Sequence, residues 1–416
     1  MGASPATFGL RTAPRDVRLY VVTTVCSALI HFGQGVAVGW SVYEQTGAPL
    51  ALGFVGLAQF LPIAVLFLPA GHLADRVERR RMVLVSLLLT FVATLLLAYA
   101  AWRALPVGWT YAALVLSGCG QILYRPARDA LLPALLPPQH LARGIALASA
   151  LYQVASLAAP AAVGFGLAQV HSAVPIHLCN ALLAALALLA TVAIRQRSHG
   201  QPAATGSRVA EVLAGFRHVW RTRILLAVMS VDLVAVLFGG AVALLPVYAR
   251  DILLVGPAGL GLLSTAPALG AACAGLVMTR SGVALDGRVL LAAVGGFGVA
   301  TVVFGLSTAF PLSLAALAVA GGCDCVSVVL RQTVLQQATP DALRGRVGAV
   351  NRVFVSSSNE LGALESGLAA AWFGPLLAVA GGGAITVLVA LGAPALFPVL
   401  RALQHDRPLP RDPAVS

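Results

Sequence analysis

Between two long apolar runs, about residues 51–73 and 82–101, stands the short stretch Gly71-His-Leu-Ala-Asp75-Arg76-Val-Glu78-Arg79-Arg80-Arg81. From Asp75 to Arg81 it holds four arginines and two acids. Charge at that density is too costly inside hydrocarbon. The stretch is therefore expected to be a tight loop at a membrane face, and its basic character assigns the cytoplasmic one.

The rest of the chain agrees with a membrane reading. Of its 416 residues, 59% are hydrophobic and only 10% charged, with a mean hydropathy of +0.90. Soluble domains carry about 25% charged residues. The apolar runs are about 20 residues long without period-2 alternation, which selects helices over a barrel. The net charge of +12 would point to nucleic acid in a soluble chain. Here no nucleic-acid partner is expected. All 27 basic side chains are arginine, and all but Arg103 and Arg250 fall in segments read as cytoplasmic. The six cysteines all lie in apolar segments and read as buried small hydrophobes, with neither a disulfide framework nor a metal site. The polar N-terminus, with Arg11, Arg15 and Arg18, leads straight into a full-length span and carries no cleavable signal.

Twelve spans are expected, at about 19–43, 51–73, 82–102, 108–131, 142–169, 174–194, 224–249, 258–279, 288–307, 311–335, 346–372 and 375–400. The only long polar segment divides them: 1–194 is an N-terminal six-helix half, 195–222 a cytoplasmic linker, and 223–416 a C-terminal half. In the linker, Val212, Phe216 and Trp220 recur every four residues, as in an amphipathic helix on the inner surface. The halves repeat. The frame Arg-x3-Leu-x4-Pro-x5-Arg runs from Arg128 through Leu132 and Pro137 to Arg143, and again from Arg331 through Leu335 and Pro340 to Arg346. The opening loop has an echo at Gly275-Leu-Val-Met-Thr279-Arg280-Ser-Gly282, which keeps the arginine and lacks the acid. Two parallel six-helix halves are a transporter architecture, with the substrate site between them.

The motif Gly-x-Leu-x-Asp-Arg-x-x-Arg-Arg between the second and third spans resembles the first signature of the major facilitator superfamily. Gly71, Leu73, Asp75, Arg76, Arg79 and Arg80 fit it, with Glu78 where that family usually has glycine. Leu57-Ala-Gln-Phe-Leu-Pro62 and Pro126-Ala-Arg128-Asp-Ala-Leu-Leu-Pro133 look like the branch containing the enterobactin exporter and macrolide-efflux proteins. That resemblance implies an all-α major facilitator fold and a secondary exporter driven by proton exchange. The antiporter pattern of the fifth span appears as Ala155-x3-Ala159-Pro160-Ala-Ala-Val163-Gly164, with alanine for most glycines. The fourth span has no arginine before Gly118 and Gly120, where many proton-coupled members carry one.

Two sets of residues are candidates for the mechanism. The gate is expected to use Gly71, Asp75, Arg76, Arg79, Arg80, Arg128 and Arg346. Gly71 permits close helix approach, and Asp75 is suited to face a helix N-terminus and pair with arginine. By the resemblance, that helix is the eleventh span, which begins with Arg344 and Arg346. The cavity is expected to use His31, Gln34, Asp232, Asp324, Glu360 and Glu365, since ionisable groups at membrane depth mark functional sites. Glu360 and Glu365 are five apart and do not share a face. Tyr152, Gln153, Asn351 and Arg352 are weaker candidates, and His171, His177 and Arg103 are read as solvated near the outer surface.

Together these readings give a proton-coupled exporter of small amphipathic molecules, working by alternating access. It is expected to be a monomer in the inner membrane with both termini cytoplasmic, its partners a small-molecule substrate, protons and the lipid bilayer. Uptake, lipid flipping and a non-transporting receptor on the same fold stay open. Neither clustered catalytic groups nor a phosphate-cradling glycine loop is found, so an enzyme and ATP-driven transport are disfavoured, and no cofactor is implied.

Overall fold

The computed structural model describes residues 13–196, 208–281 and 286–401, the side chains of 68–76, 208–212, 281 and 342 excepted. Among these residues every regular element is helical. In chain order they are α1 (Arg15–Thr46), α2 (Pro49–Arg76), α3 (Arg79–Trp102), α4 (Val107–Leu135), α5 (Pro138–Val170), α6 (Val174–Ala193) and α7 (Arg208–Arg221). Then follow α8 (Arg223–Phe238), α9 (Gly256–Ser281), α10 (Gly287–Leu306), α11 (Phe310–Gln337), α12 (Asp341–Phe373) and α13 (Pro375–Leu396). Among the described residues ten stretches are long and apolar enough to cross a membrane. α4 and α12 are as long, at 29 and 33 residues, but more polar. With them the all-α, twelve-span architecture expected from the sequence is complete.

The turns explain where the helices stop. α1 ends at Gly47, with φ +61°, and α12 meets α13 at Gly374, with φ +84°, conformations that favour glycine. Pro137 and Pro340 stand as N-caps of α5 and α12 with nearly equal backbone angles (φ −61°, ψ 150° and φ −57°, ψ 147°). The repeated sequence frame thus folds as the same helix–corner–helix in both places.

The helices gather into two compact units, Met1–Ser41 with Leu61–Thr205, and Val42–Phe60 with Gly206–Ser416. α1 and α2 contribute to both. In the first unit α4 approaches α3 at Gly120, where a Cβ would lie 2.8 Å from the Ser86 carbonyl oxygen. In the second unit glycines bring several helix pairs into close contact, as expected where lipid removes the hydrophobic drive between helices. Gly298 meets Gly383 between α10 and α13, and Gly321 lies on Pro267 between α11 and α9. α12 is held from two directions. Gly362 lies against the Val236 and Leu237 carbonyls of α8, and a Cβ on Gly367 would stand 2.6 Å from the α-carbon of Gly53 on α2.

Three expectations are corrected. The seventh span is not one helix. It breaks after Phe238 at Gly239 and Gly240, then continues as a 3-10 turn (Ala241–Leu244), a short helical turn (Leu245–Val247) and a π turn (Tyr248–Ile252). Two adjacent glycines and Pro246, which has no N–H, account for the interruption. His177 is not solvated. It is 2% exposed, on the buried face of α6 with Asn180, and its Nδ1 has no hydrogen-bond partner among the described residues. Cys179 and Cys273 are exposed on their helices, not buried, because an apolar segment presents its thiols to lipid as readily as to the core.

Candidate functional site

The most distinctive group lies inside the second unit. On α11, Asp324 and Arg331 are seven residues apart and so share one face, two turns from each other. Arg331 Nη1 lies 2.8 Å from Asp232 Oδ2 on α8 and donates to Asn351 Oδ1 on α12 at 3.2 Å. Arg331, Asp232 and Asn351 are 3%, 6% and 4% exposed. Three helices are therefore joined by one buried charged node. Asp324, half-buried, lies within electrostatic reach of both Asp232 and Arg331. The Arg331 Nε has no hydrogen-bond partner among the described residues. A buried ion pair is stabilised only while both charges persist, and loss of one leaves the other uncompensated. Proton uptake by Asp232 is the simplest chemistry that would open this node.

The first unit holds a cavity of about 410 Å³, lined among others by Tyr20, Thr24, Arg128, Asp129, Tyr152 and Gln153. Arg128 donates through Nε and Nη2 to Asp129 Oδ1 at 3.0 and 2.7 Å. Its guanidinium carbon lies 5.8 Å from the ring centre of Tyr124 and 5.6 Å from that of Tyr152. Thr24 stands at the wall. His31 lies higher on α1, in an edge-to-face contact with Phe32, which meets Tyr152 in turn. Gln34 is buried on the same helix.

The 42–60 segment meets the end of the broken span within the second unit. The Tyr43 hydroxyl donates to Asp251, and Arg250 donates to the Tyr43 carbonyl at 3.0 Å while covering the Tyr43 ring at 5.4 Å. Gly56 packs directly on the Glu360 carbonyl and Ala363. Glu360 and Glu365 are both half-buried on α12.

The opening loop is described in part. α2 runs through Gly71, Asp75 and Arg76, whose side chains lie outside the described residues, as does the expected contact of Asp75 with α12. Arg79 donates to the Ala130 carbonyl of α4 at 2.8 Å. Arg80 reaches the Thr191 and Val192 carbonyls at 3.0 and 2.5 Å, capping the end of α6. Arg81 pairs with Glu78 at 3.1 Å. Arg344 pairs with Asp341 at 2.6 Å, and the Arg346 backbone lies against Gly215 of α7.

The structure thus brings Asp232 and Asp324 together around Arg331 and sets Arg128 in a separate cavity. Arg331, Tyr43 and Asp251 were not among the expected site residues. The repeat had marked Arg331 as the counterpart of Arg128, and Arg250 beside Asp251 was one of only two arginines placed outside.

A model of the family described as transmembrane secretion effector matches residues 14–411. Macrolide efflux protein A of Streptococcus pyogenes is 26% identical over 176 residues, a match that spans 42% of this chain and 42% of that relative. Among solved structures, a peptide transporter POT in complex with sulfate superposes with a TM-score of 0.74 at 13% identity, covering 96% of this chain and 97% of that one. A bacterial homologue of the human lysosomal transporter Spinster gives 0.70 at 16%, covering 94% and 97%. The nucleoside transporter NupG gives 0.73 at 11%, covering 92% and 100%. At these identities the solved structures share the fold alone. By the family match over nearly its whole length, the chain belongs to the transmembrane secretion effector family of major facilitator transporters.

Proposed function

We propose that this transporter is a proton-coupled exporter of small amphipathic molecules that works by alternating access as a monomer. In this reading it is a multi-pass protein of the cytoplasmic membrane with both termini inside. The observation that carries it is the ion pair of Arg331 and Asp232, held with Asn351 away from water between three helices. Protonation of Asp232 removes one charge and frees Arg331, so α8, α11 and α12 lose a common tie at the moment a proton binds. Asp324 on the same face is the second carboxylate that answers to Arg331. The match to a macrolide efflux protein supports the outward direction and an amphipathic cargo. The motif from Gly71 to Arg80 is the inner gate, and the contact of Tyr43 with Arg250 and Asp251 is the outer one.

The test is flux in proteoliposomes under an imposed pH gradient, with a panel of drug-like amphiphiles. Efflux is expected to follow the gradient and to lose that dependence in Asp232→Asn. Undiminished gradient-driven efflux after Asp232→Asn, Asp324→Asn and Glu360→Gln, each alone, would remove the coupling assignment. Accumulation in the opposite direction under the same gradient would make the protein an importer.

A further inference from the structure

α7 presents three distinct faces. Gly215 and Val219 are buried along one side. There a Cβ on Gly215 would stand 2.9 Å from the carbonyl carbon and oxygen of Arg346, so α7 lies backbone to backbone on the first turns of α12. On another side Leu213, Phe216 and Trp220 are 58%, 40% and 63% exposed, and the rings of Phe216 and Trp220 stack at 5.7 Å. Arg217 and Arg221, both exposed, follow this apolar strip along one edge by their spacing of one turn.

The position of α7 decides what covers the strip. Only Thr222 separates α7 from α8, whose apolar stretch starts at Arg223 and enters the membrane. The helix therefore lies at the bilayer surface. A helix in that place settles its apolar face at the acyl boundary and leaves flanking arginines at the level of the phosphates. Arginines so placed favour leaflets rich in anionic headgroups.

We propose that α7 is an anionic-phospholipid-binding helix, whose seating on the bilayer is transmitted to α12 through the contact of Gly215 with Arg346. The strip of Leu213, Phe216 and Trp220 supplies insertion, and Arg217 and Arg221 supply preference for a negative headgroup. Because Gly215 leaves no side chain between the two helices, a shift of α7 is felt directly at the start of α12. This inference does not depend on the direction of transport or on its coupling ion.

The test uses the whole protein in nanodiscs of phosphatidylcholine with or without phosphatidylglycerol, one lipid at a time carrying brominated acyl chains. The signal of Trp220 is taken as the difference from Trp220→Phe. Brominated phosphatidylglycerol is expected to quench Trp220 about twofold more than brominated phosphatidylcholine. The double variant Arg217→Gln/Arg221→Gln should erase that difference while phosphatidylcholine still quenches. Amide exchange over residues 341–350 should be slower with phosphatidylglycerol, and Gly215→Val should abolish that slowing while leaving the lipid preference of Trp220 intact. Equal quenching by the two lipids overturns the anionic preference. No quenching by either overturns bilayer seating and points to a protein partner on the strip. Exchange that ignores the lipid overturns the link to α12.

Discussion

Arg128 and Arg331 stand 203 positions apart in the same repeated frame, yet each is neutralised differently. Arg331 reaches Asp232 on another helix and is buried, whereas Arg128 takes its own neighbour Asp129 and borders a cavity. One half of the molecule therefore joins two helices by the ion pair of its arginine, and the other makes that pair within a single helix.

Asp232→Ala should accordingly destabilise the protein by about 3–5 kcal/mol, the cost of leaving the buried guanidinium uncompensated. Asp232→Asn keeps a hydrogen-bonding partner and should cost less. Replacing both partners, as Asp232→Leu with Arg331→Met, should recover most of the stability without recovering gradient-driven transport. Thermal unfolding in detergent, with flux measured in parallel, checks all three. Arg128→Gln should be far milder in unfolding than Arg331→Gln.

The glycine contacts of α12 make a second prediction. A side chain at Gly367 has no room beside Gly53, so Gly367→Leu should cost about 1–3 kcal/mol. A Cβ at Gly275 meets nothing within 4 Å among the described residues, and Gly275→Leu should stay within about 0.5 kcal/mol of the parent. Comparable losses in melting temperature at the two positions would contradict this packing.

Tyr43 and Asp251 should be coupled energetically. The hydroxyl donates to a carboxylate that is about half exposed, so the interaction is expected to contribute about 1 kcal/mol. A double-mutant cycle of Tyr43→Phe and Asp251→Asn, read by thermal unfolding, measures it. Additive single effects would show that the contact carries no energy.

The two copies of the loop motif should respond unequally. Thr279 uses its hydroxyl on the Leu276 carbonyl of its own turn at 2.8 Å, so Thr279→Asn should leave transport nearly intact. Asp75→Asn should abolish or cripple transport in protein that still inserts and folds, as judged by gel filtration. Equal transport losses at the two positions would argue against an asymmetric gate.

The helices themselves were legible because lipid allows little else. Every expected span but the seventh coincides with a helix whose ends differ by a few residues, and the amphipathic segment of the linker is α7. The aromatic face read from Phe216 and Trp220 is the exposed one, away from the side on which Gly215 meets α12. Tertiary pairing was not legible. Asp232 and Arg331 are 99 residues apart, and no local pattern announces that α8 and α11 will bring them within 2.8 Å. His177 shows the converse difficulty. A polar residue near a helix end reads as solvated, but helix rotation turned it into the core of the first unit. The break after Phe238 was signalled by Gly239, Gly240 and Pro246, yet the apolar run continues through it and conceals it.

That break has a consequence for how the protein is made. The insertion machinery meets one apolar stretch of 30 residues, Arg223–Ile252. Its regular helix covers only 16 of them, about 24 Å at 1.5 Å per residue, less than the hydrocarbon thickness of about 30 Å. The interruption therefore falls within the bilayer, where exposed backbone is not tolerated. Part of it bonds locally, Ala241 N–H to the Gly239 carbonyl at 2.7 Å, and Gly240 is covered by Gly362 and Ser366 of α12. α12 is synthesised about a hundred residues later. The shelter that Gly362 and Ser366 give to Gly240 is therefore absent until α12 has been made.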